Sequence, residues 1–239
     1  YAGPSRDDQP GNYWVNTYLP IASPRQNVQV ISSSGPVHGV MSLDGENKRM
    51  KWAGENSGIS TIHHSFSHEG RNIEFSIDST LQYQPVFDLS LLPELRATDN
   101  VQAEHPKIAR LANELTQGKT SMLARLKTIY NFVYDIPAIA TSELTDALTT
   151  LEQYEASCNG KSRLLAALYR NQGIPTRLVG GLILDEGRKK ASHLWAEVYV
   201  EGLWIPMDAL NGHFASLPAH YLELYRGDEF LITRKGGQE

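Results

Sequence analysis

Ser157-Cys158-Asn159-Gly160-Lys161-Ser162-Arg163-Leu164-Leu165 holds the one cysteine of the 239 residues and carries it into a helix. Beyond Cys158 the apolar residues Leu164, Leu165, Ala167 and Leu168 recur at helical spacing, and Gly173 followed by Pro175 is a stop signal. Cys158 therefore sits at or just before a helix N-terminus. There the unpaired N–H groups and the positive end of the macrodipole favour an anion and ease thiolate formation. An isolated cysteine is otherwise most often a buried, inert thiol. The reading turns on what lies downstream, at His193 and Asp208.

Ser192-His-Leu-Trp-Ala-Glu-Val-Tyr-Val and Leu203-Trp-Ile-Pro-Met-Asp flank Glu201-Gly202, a two-residue hairpin signal. With that loop Val200 faces Leu203 and, counting back, Trp195 faces Asp208. His193 is two residues from Trp195, hence on the same face and within diagonal reach of the carboxylate. A three-residue loop would turn Asp208 to the other face. Pro206 lacks an N–H, so its strand should be an edge or be irregular there.

A thiol at a helix start with a histidine and an acid on one sheet face makes a Cys-His-Asp constellation. Cys158 would attack an acyl carbon, His193 would take the thiol proton and later protonate a leaving amine, and Asp208 would fix the imidazole tautomer. The backbone N–H of Cys158 and a donor from the preceding loop, with Gln153 and Tyr154 as candidates, would hold the oxyanion. Trp195 and Asn159 are candidates for the substrate cleft, although an aromatic in a strand is more commonly sheet packing. His193 and Asp208 also fit a purely structural cross-strand pair. Asn211-Gly212-His213 reads first as a turn, and Arg188-Lys189-Lys190 as a solvated loop.

A hydrophobic content of 41% is ordinary for a globular chain, and the net charge of −5 is spread among interspersed acids and bases. That pattern argues against a nucleic-acid face or a polybasic membrane anchor. One cysteine excludes an intrachain disulfide and leaves the redox compartment open. The longest apolar run, Leu178 to Leu184, is too short to cross a bilayer. No motif calls for a cofactor. His63 and His64 would point to opposite faces of a strand, so with His68 they read as surface residues rather than a metal site. The chain opens at Tyr1 without an initiator Met or a signal-like segment, as expected of a mature product or an excised piece.

The expected architecture is α+β. Up to about Pro85, short alternating runs at Asn12–Leu19, Val28–Ile31, His38–Leu43, Arg49–Trp52, Ile59–His63 and Asn72–Asp78 are separated by Gly, Pro, Asn and Ser clusters. They suggest a small antiparallel β-sandwich over residues 1–90, with Trp14 and Trp52 as half-buried strand positions. Amphipathic helices follow at Gln102–Thr116, Ser121–Tyr134 and Glu143–Leu151, within an α+β part spanning residues 91–239.

Cys158 with its helix ending in Asn171-Gln-Gly-Ile-Pro-Thr-Arg-Leu-Val-Gly-Gly, then the two hairpin strands, resembles the transglutaminase-like superfamily of papain-type folds over roughly Val101 to His220. The resemblance implies a cysteine helix packed on an antiparallel sheet, with Cys158 as nucleophile, His193 as base and Asp208 as orienting acid. It implies a cysteine protease, hydrolase or acyltransferase acting on peptide or protein amides. The usual Gly-rich approach to the cysteine is here Tyr154-Glu155-Ala156-Ser157. The opening Ser5-Arg-Asp-Asp-Gln-Pro-Gly-Asn-Tyr-Trp and the ending Tyr221-Leu-Glu-Leu-Tyr-Arg-Gly-Asp-Glu-Phe-Leu-Ile look like the extracytoplasmic part of bacterial membrane proteins in which such a domain precedes seven transmembrane helices. That likeness implies a periplasmic, membrane-tethered setting. Members of that group are often described as inactive and tend to accompany ATP-grasp peptide ligases. The alternative role it suggests is an inactive peptide- or cell-wall-binding sensor.

Overall fold

In the computed structural model, which describes residues 12–35, 39–55, 61–86, 88–140, 145–184 and 191–235, four helices precede the main sheet. They are α1 (Pro106–Thr116), α2 (Met122–Asp135), α3 (Ala147–Gln153) and α4 (Cys158–Asn171). α1 starts later than its periodicity suggests, because a residue before proline is driven out of the helical region, and His105 is extended at φ −65°, ψ 134°. Ser121 and Asp146 cap α2 and α3 by accepting from Ala124 N–H and Thr149 N–H. α3 was expected from Glu143, which lies outside the described residues; the helix proper begins behind the Asp146 cap.

α4 is buried from Gly160 to Tyr169, with the other three helices on one side and a sheet on the other. Its polar side chains are therefore matched inside the fold. Ser162 Oγ donates to the Leu194 carbonyl at 2.8 Å, Lys161 Nζ to the Tyr134 carbonyl at 2.8 Å, and Arg163 to Asp228 Oδ1 at 2.7 and 2.9 Å. Gly160 lets α3 come close: a Cβ there would run into Thr145, Thr150 and Ala156.

The sheet behind α4 contains β7 (Thr176–Ile183), β8 (Ala191–Val200), β9 (Leu203–Asp208), β10 (His213–Phe214) and β12 (Tyr221–Arg226), in the antiparallel order β10-β9-β8-β7-β12. The β8–β9 hairpin has the expected two-residue loop. Glu201 and Gly202 both take positive φ, at 48° and 86°, and the ladder runs from Val200 opposite Leu203 to Ala196 opposite Met207. Leu194, Ala196 and Val198 join the main core with α4, while Trp195 packs with Val179 and Tyr221 on the opposite face. β10 pairs only with Met207 and Asp208, so β9 has an open edge at Pro206.

The N-terminal part consists of β1 (Asn12–Leu19), β2 (Gln26–Ser34), β3 (Val40–Asp44), β4 (Asn47–Glu55), β5 (His63–Gly70) and β6 (Ile73–Glu74). β3, β4 and β1 form a sheet completed by β13 (Ile232–Lys235), which returns from the far end of the chain to pair with β1. β2 and β5 form a second, two-stranded sheet. Trp52 of β4 is buried against it, 5.3 Å from the His64 ring, and His64 is hydrogen-bonded to Thr17 and Ser33. Two expected strands differ. The run placed at Ile59–His63 forms its strand further on, at His63–Gly70, and the positions 59–60 lie outside the described residues, as do Ser5 to Gly11 and the Arg188-Lys189-Lys190 loop. Asn72–Asp78 pairs only at Ile73–Glu74, with β11 (Ser216–Leu217), because its alternation serves to lay Phe75 and Ile77 on the core.

Candidate active site

The thiol, the imidazole and the carboxylate meet. His193 Nε2 lies 2.7 Å from Asp208 Oδ2, the diagonal contact that the hairpin register allows. The Cys158 sulfur interacts with His193 and with the Leu194 backbone N–H, and both favour its thiolate. Ser162, one turn along α4, holds the carbonyl of the same Leu194. The helix start is thus fastened to β8 beside the histidine. Asp208 is fully buried and His193 is 5% exposed, while Cys158 is half-buried, the least buried residue of the trio.

Electrostatics follow from that order. Burial raises the Cys158 thiol, but the hydrogen bond and charge of His193 and the Leu194 N–H outweigh it and leave the thiol below its usual value. Burial opposes a charged imidazole, yet bonding to Asp208 and to Cys158 pushes His193 up to about 9. Asp208, despite its own burial, is held down to about 2 by His193, Tyr221 and Asn211. The net direction favours a thiolate–imidazolium pair. Ser157, the N-cap of α4, makes no side-chain cap bond, and its Oγ is buried without a partner among the described residues. The first amides of α4 therefore keep their donors for an oxyanion.

A model of the transglutaminase-like superfamily core matches residues 109–209, from within α1 to the residue after Asp208. This stretch is a transglutaminase-like domain. Its α4 packed on an antiparallel sheet is the papain- and transglutaminase-like α+β arrangement, and 95% of the chain superposes on a candidate cysteine protease from Cytophaga hutchinsonii. That match covers 82% of the other protein, with a TM-score of 0.70 and 18% identity, so the fold is shared along nearly the whole chain. Two more distant structures are the periplasmic domain of TgpA from Pseudomonas aeruginosa bound to ethylmercury (13% identity, TM-score 0.43, 84% of this chain and 73% of that one) and LapG from Legionella pneumophila (13%, 0.38, 61% and 84%). Among curated proteins none matches the chain.

The other candidates of the transglutaminase-like domain are placed as follows. Trp195 has no exposed surface; it stacks on His193 at 6.2 Å between ring centroids and so supports the imidazole from within. Asn159 is half-buried in the first turn of α4. Tyr154 is left-handed at φ 54°, spends its N–H on the Thr150 carbonyl and sets its ring 6.3 Å from Phe132; Gln153 ends α3 in solvent.

Sequence reasoning missed the support around Asp208. Tyr221 OH donates to Oδ2 at 2.7 Å and Asn211 Nδ2 at 2.9 Å, while the backbone N–H groups of Leu210 and Asn211 reach Oδ1 at 3.0 and 3.3 Å. The Asn-Gly signal marked the turn at Asn211 but not its side chain's target. Nothing local marked Tyr221.

Proposed function

We propose that the protein is a cysteine hydrolase or acyltransferase acting on peptide amide or isopeptide bonds through a thioester on Cys158. The observation that carries this reading is the series Cys158, His193, Asp208, in which His193 bonds Asp208 at 2.7 Å and interacts with Cys158, the least buried of the three. The Cys158 thiolate adds to the carbonyl carbon, and the first amides of α4 receive the developing oxyanion. As the C–N bond breaks, His193 gives its proton to the leaving amine and the thioester remains. Water or an acceptor amine then attacks the thioester, passes a proton to His193 and frees the thiol. Asp208 stays ionised and fixes the imidazole throughout. We place this chemistry outside the cytoplasm, on the likeness of the chain's two ends to extracytoplasmic parts of bacterial membrane proteins.

The test is alkylation by iodoacetamide at neutral pH, followed by intact mass, with hydroxamate formation from peptide amides in the presence of hydroxylamine as the activity readout. The expected result is single modification at Cys158 and turnover that Cys158→Ala abolishes. A folded protein whose thiol resists alkylation, or turnover that survives Cys158→Ala, would overturn the reading.

A further inference from the structure

α4 reaches the strands of both other members of the trio through two neighbouring residues. Ser162 Oγ donates to the carbonyl of Leu194, next to His193, at 2.8 Å. Lys161 Nζ donates to the carbonyl of Ala209, next to Asp208, at a longer 3.4 Å, and to the carbonyl of Tyr134, in the last turn of α2, at 2.8 Å. Lys161 follows Cys158 by three residues and is 2% exposed.

A lysine is seldom buried unless an acid pairs with it. The charges that face Lys161 are those of Asp135, at the end of α2, and of Asp208, and neither forms an ion pair with it. It meets carbonyl oxygens instead, at a helix end whose free carbonyls and negative pole favour a cation. α2 holds the same turn at a second point, since Tyr130 OH donates to the Asp208 carbonyl at 3.0 Å. The consecutive carbonyls of Asp208 and Ala209 are thus held from α2 and α4, while the next two amides, of Leu210 and Asn211, return to Asp208 Oδ1. The turn is anchored at its acceptors by Tyr130 and Lys161, and at its donors by the carboxylate that it aims.

We propose that Lys161 and Tyr130 are positioning residues for the acid of the trio: they fix the turn that aims Asp208 at His193 and tie it to the helix that carries Cys158. Neither touches a reacting atom. Their effect on turnover rests on the Cys158 chemistry proposed above, but the alignment itself is read on His193. Loss of the tie and loss of the charge have opposite signs there. A slack turn lets Asp208 drift from the imidazole, and His193 titrates lower; removal of a nearby cation alone would make it titrate higher.

The test follows the His193 Cε1 proton by NMR against pH in the parent, Lys161→Met and Tyr130→Phe, beside kcat and KM for hydroxamate formation from peptide amides. From about 9 in the parent, the inflection should fall by about one unit in Lys161→Met, and it should fall in Tyr130→Phe as well. In Lys161→Met kcat should drop about tenfold with KM unchanged. Tyr130→Phe decides the matter if Lys161→Met does not fold. An inflection that stays in place or rises in either folded variant overturns the proposal, whatever happens to the urea midpoint. A parent without turnover would count against the Cys158 chemistry alone, and the titration would still decide the alignment.

Discussion

Asp208 shows how much one buried carboxylate can organise. It accepts from His193, Tyr221 and Asn211 side chains and from two backbone amides, so it stays ionised although no water reaches it. Its charge in turn holds His193 up to about 9 and, through the imidazolium, holds the Cys158 thiol down. The pH dependence follows with a definite sign. The reactive pair forms as the thiol ionises below its usual range and is lost as the imidazolium deprotonates near pH 9. The iodoacetamide rate should therefore reach its plateau below the ordinary thiol range. In Asp208→Asn the imidazolium loses its partner, His193 titrates lower, and the inflection should move up toward the free-thiol value of about 8.5. An unchanged profile would sink this account. Tyr221→Phe removes one charge-assisted bond, for about 1.5–3 kcal/mol. It should lower kcat about tenfold or more and shift the same inflection upward, which a loss of packing would not do.

At the scale of elements, α4 is the piece whose position decides whether the site exists. A helix buried along its length has no freedom to slide, and Ser162 fastens it to β8 at the residue next to His193. Gly160 sets how near α3 can come. Gly160→Ala should force the two helices apart and cost about 1–3 kcal/mol by overpacking, read as a lower urea midpoint with an unchanged m value. A variant as stable as the parent would mean that Thr145 and Thr150 give way freely. The hairpin was legible because its two-residue loop and the period of two are local rules. The late start of α1 was equally local, since Pro106 forbids a helical His105.

For the whole molecule, long-range ties join the segments that the local rules produce. Arg163 on α4 bonds Asp228 beyond the last strand of the main sheet, and Asn100 reaches the same carboxylate. Replacing Arg163 by Met should cost about 3 kcal/mol, because Asp228 is left partly buried without its cation, and chemical denaturation of Arg163→Met beside Asp228→Asn measures it; a loss within experimental error would show that the pair is neutral. β13 crosses back to β1, and Arg25 enters the far side of the main sheet from the N-terminal part. None of these ties could be read in advance. The sequence by itself determined the cysteine at a helix start and the hairpin signal, and it put His193 and Asp208 on one face on condition of a two-residue loop, since each follows from neighbours a few residues apart; the register of the folded hairpin met that condition. Only the tertiary structure decided that Tyr221 and Asn211 hold Asp208, that Trp195 is sealed beneath the imidazole and that β13 completes the first sheet. Such contacts join side chains far apart in the chain, and their selection depends on packing and burial, for which periodicity carries no code.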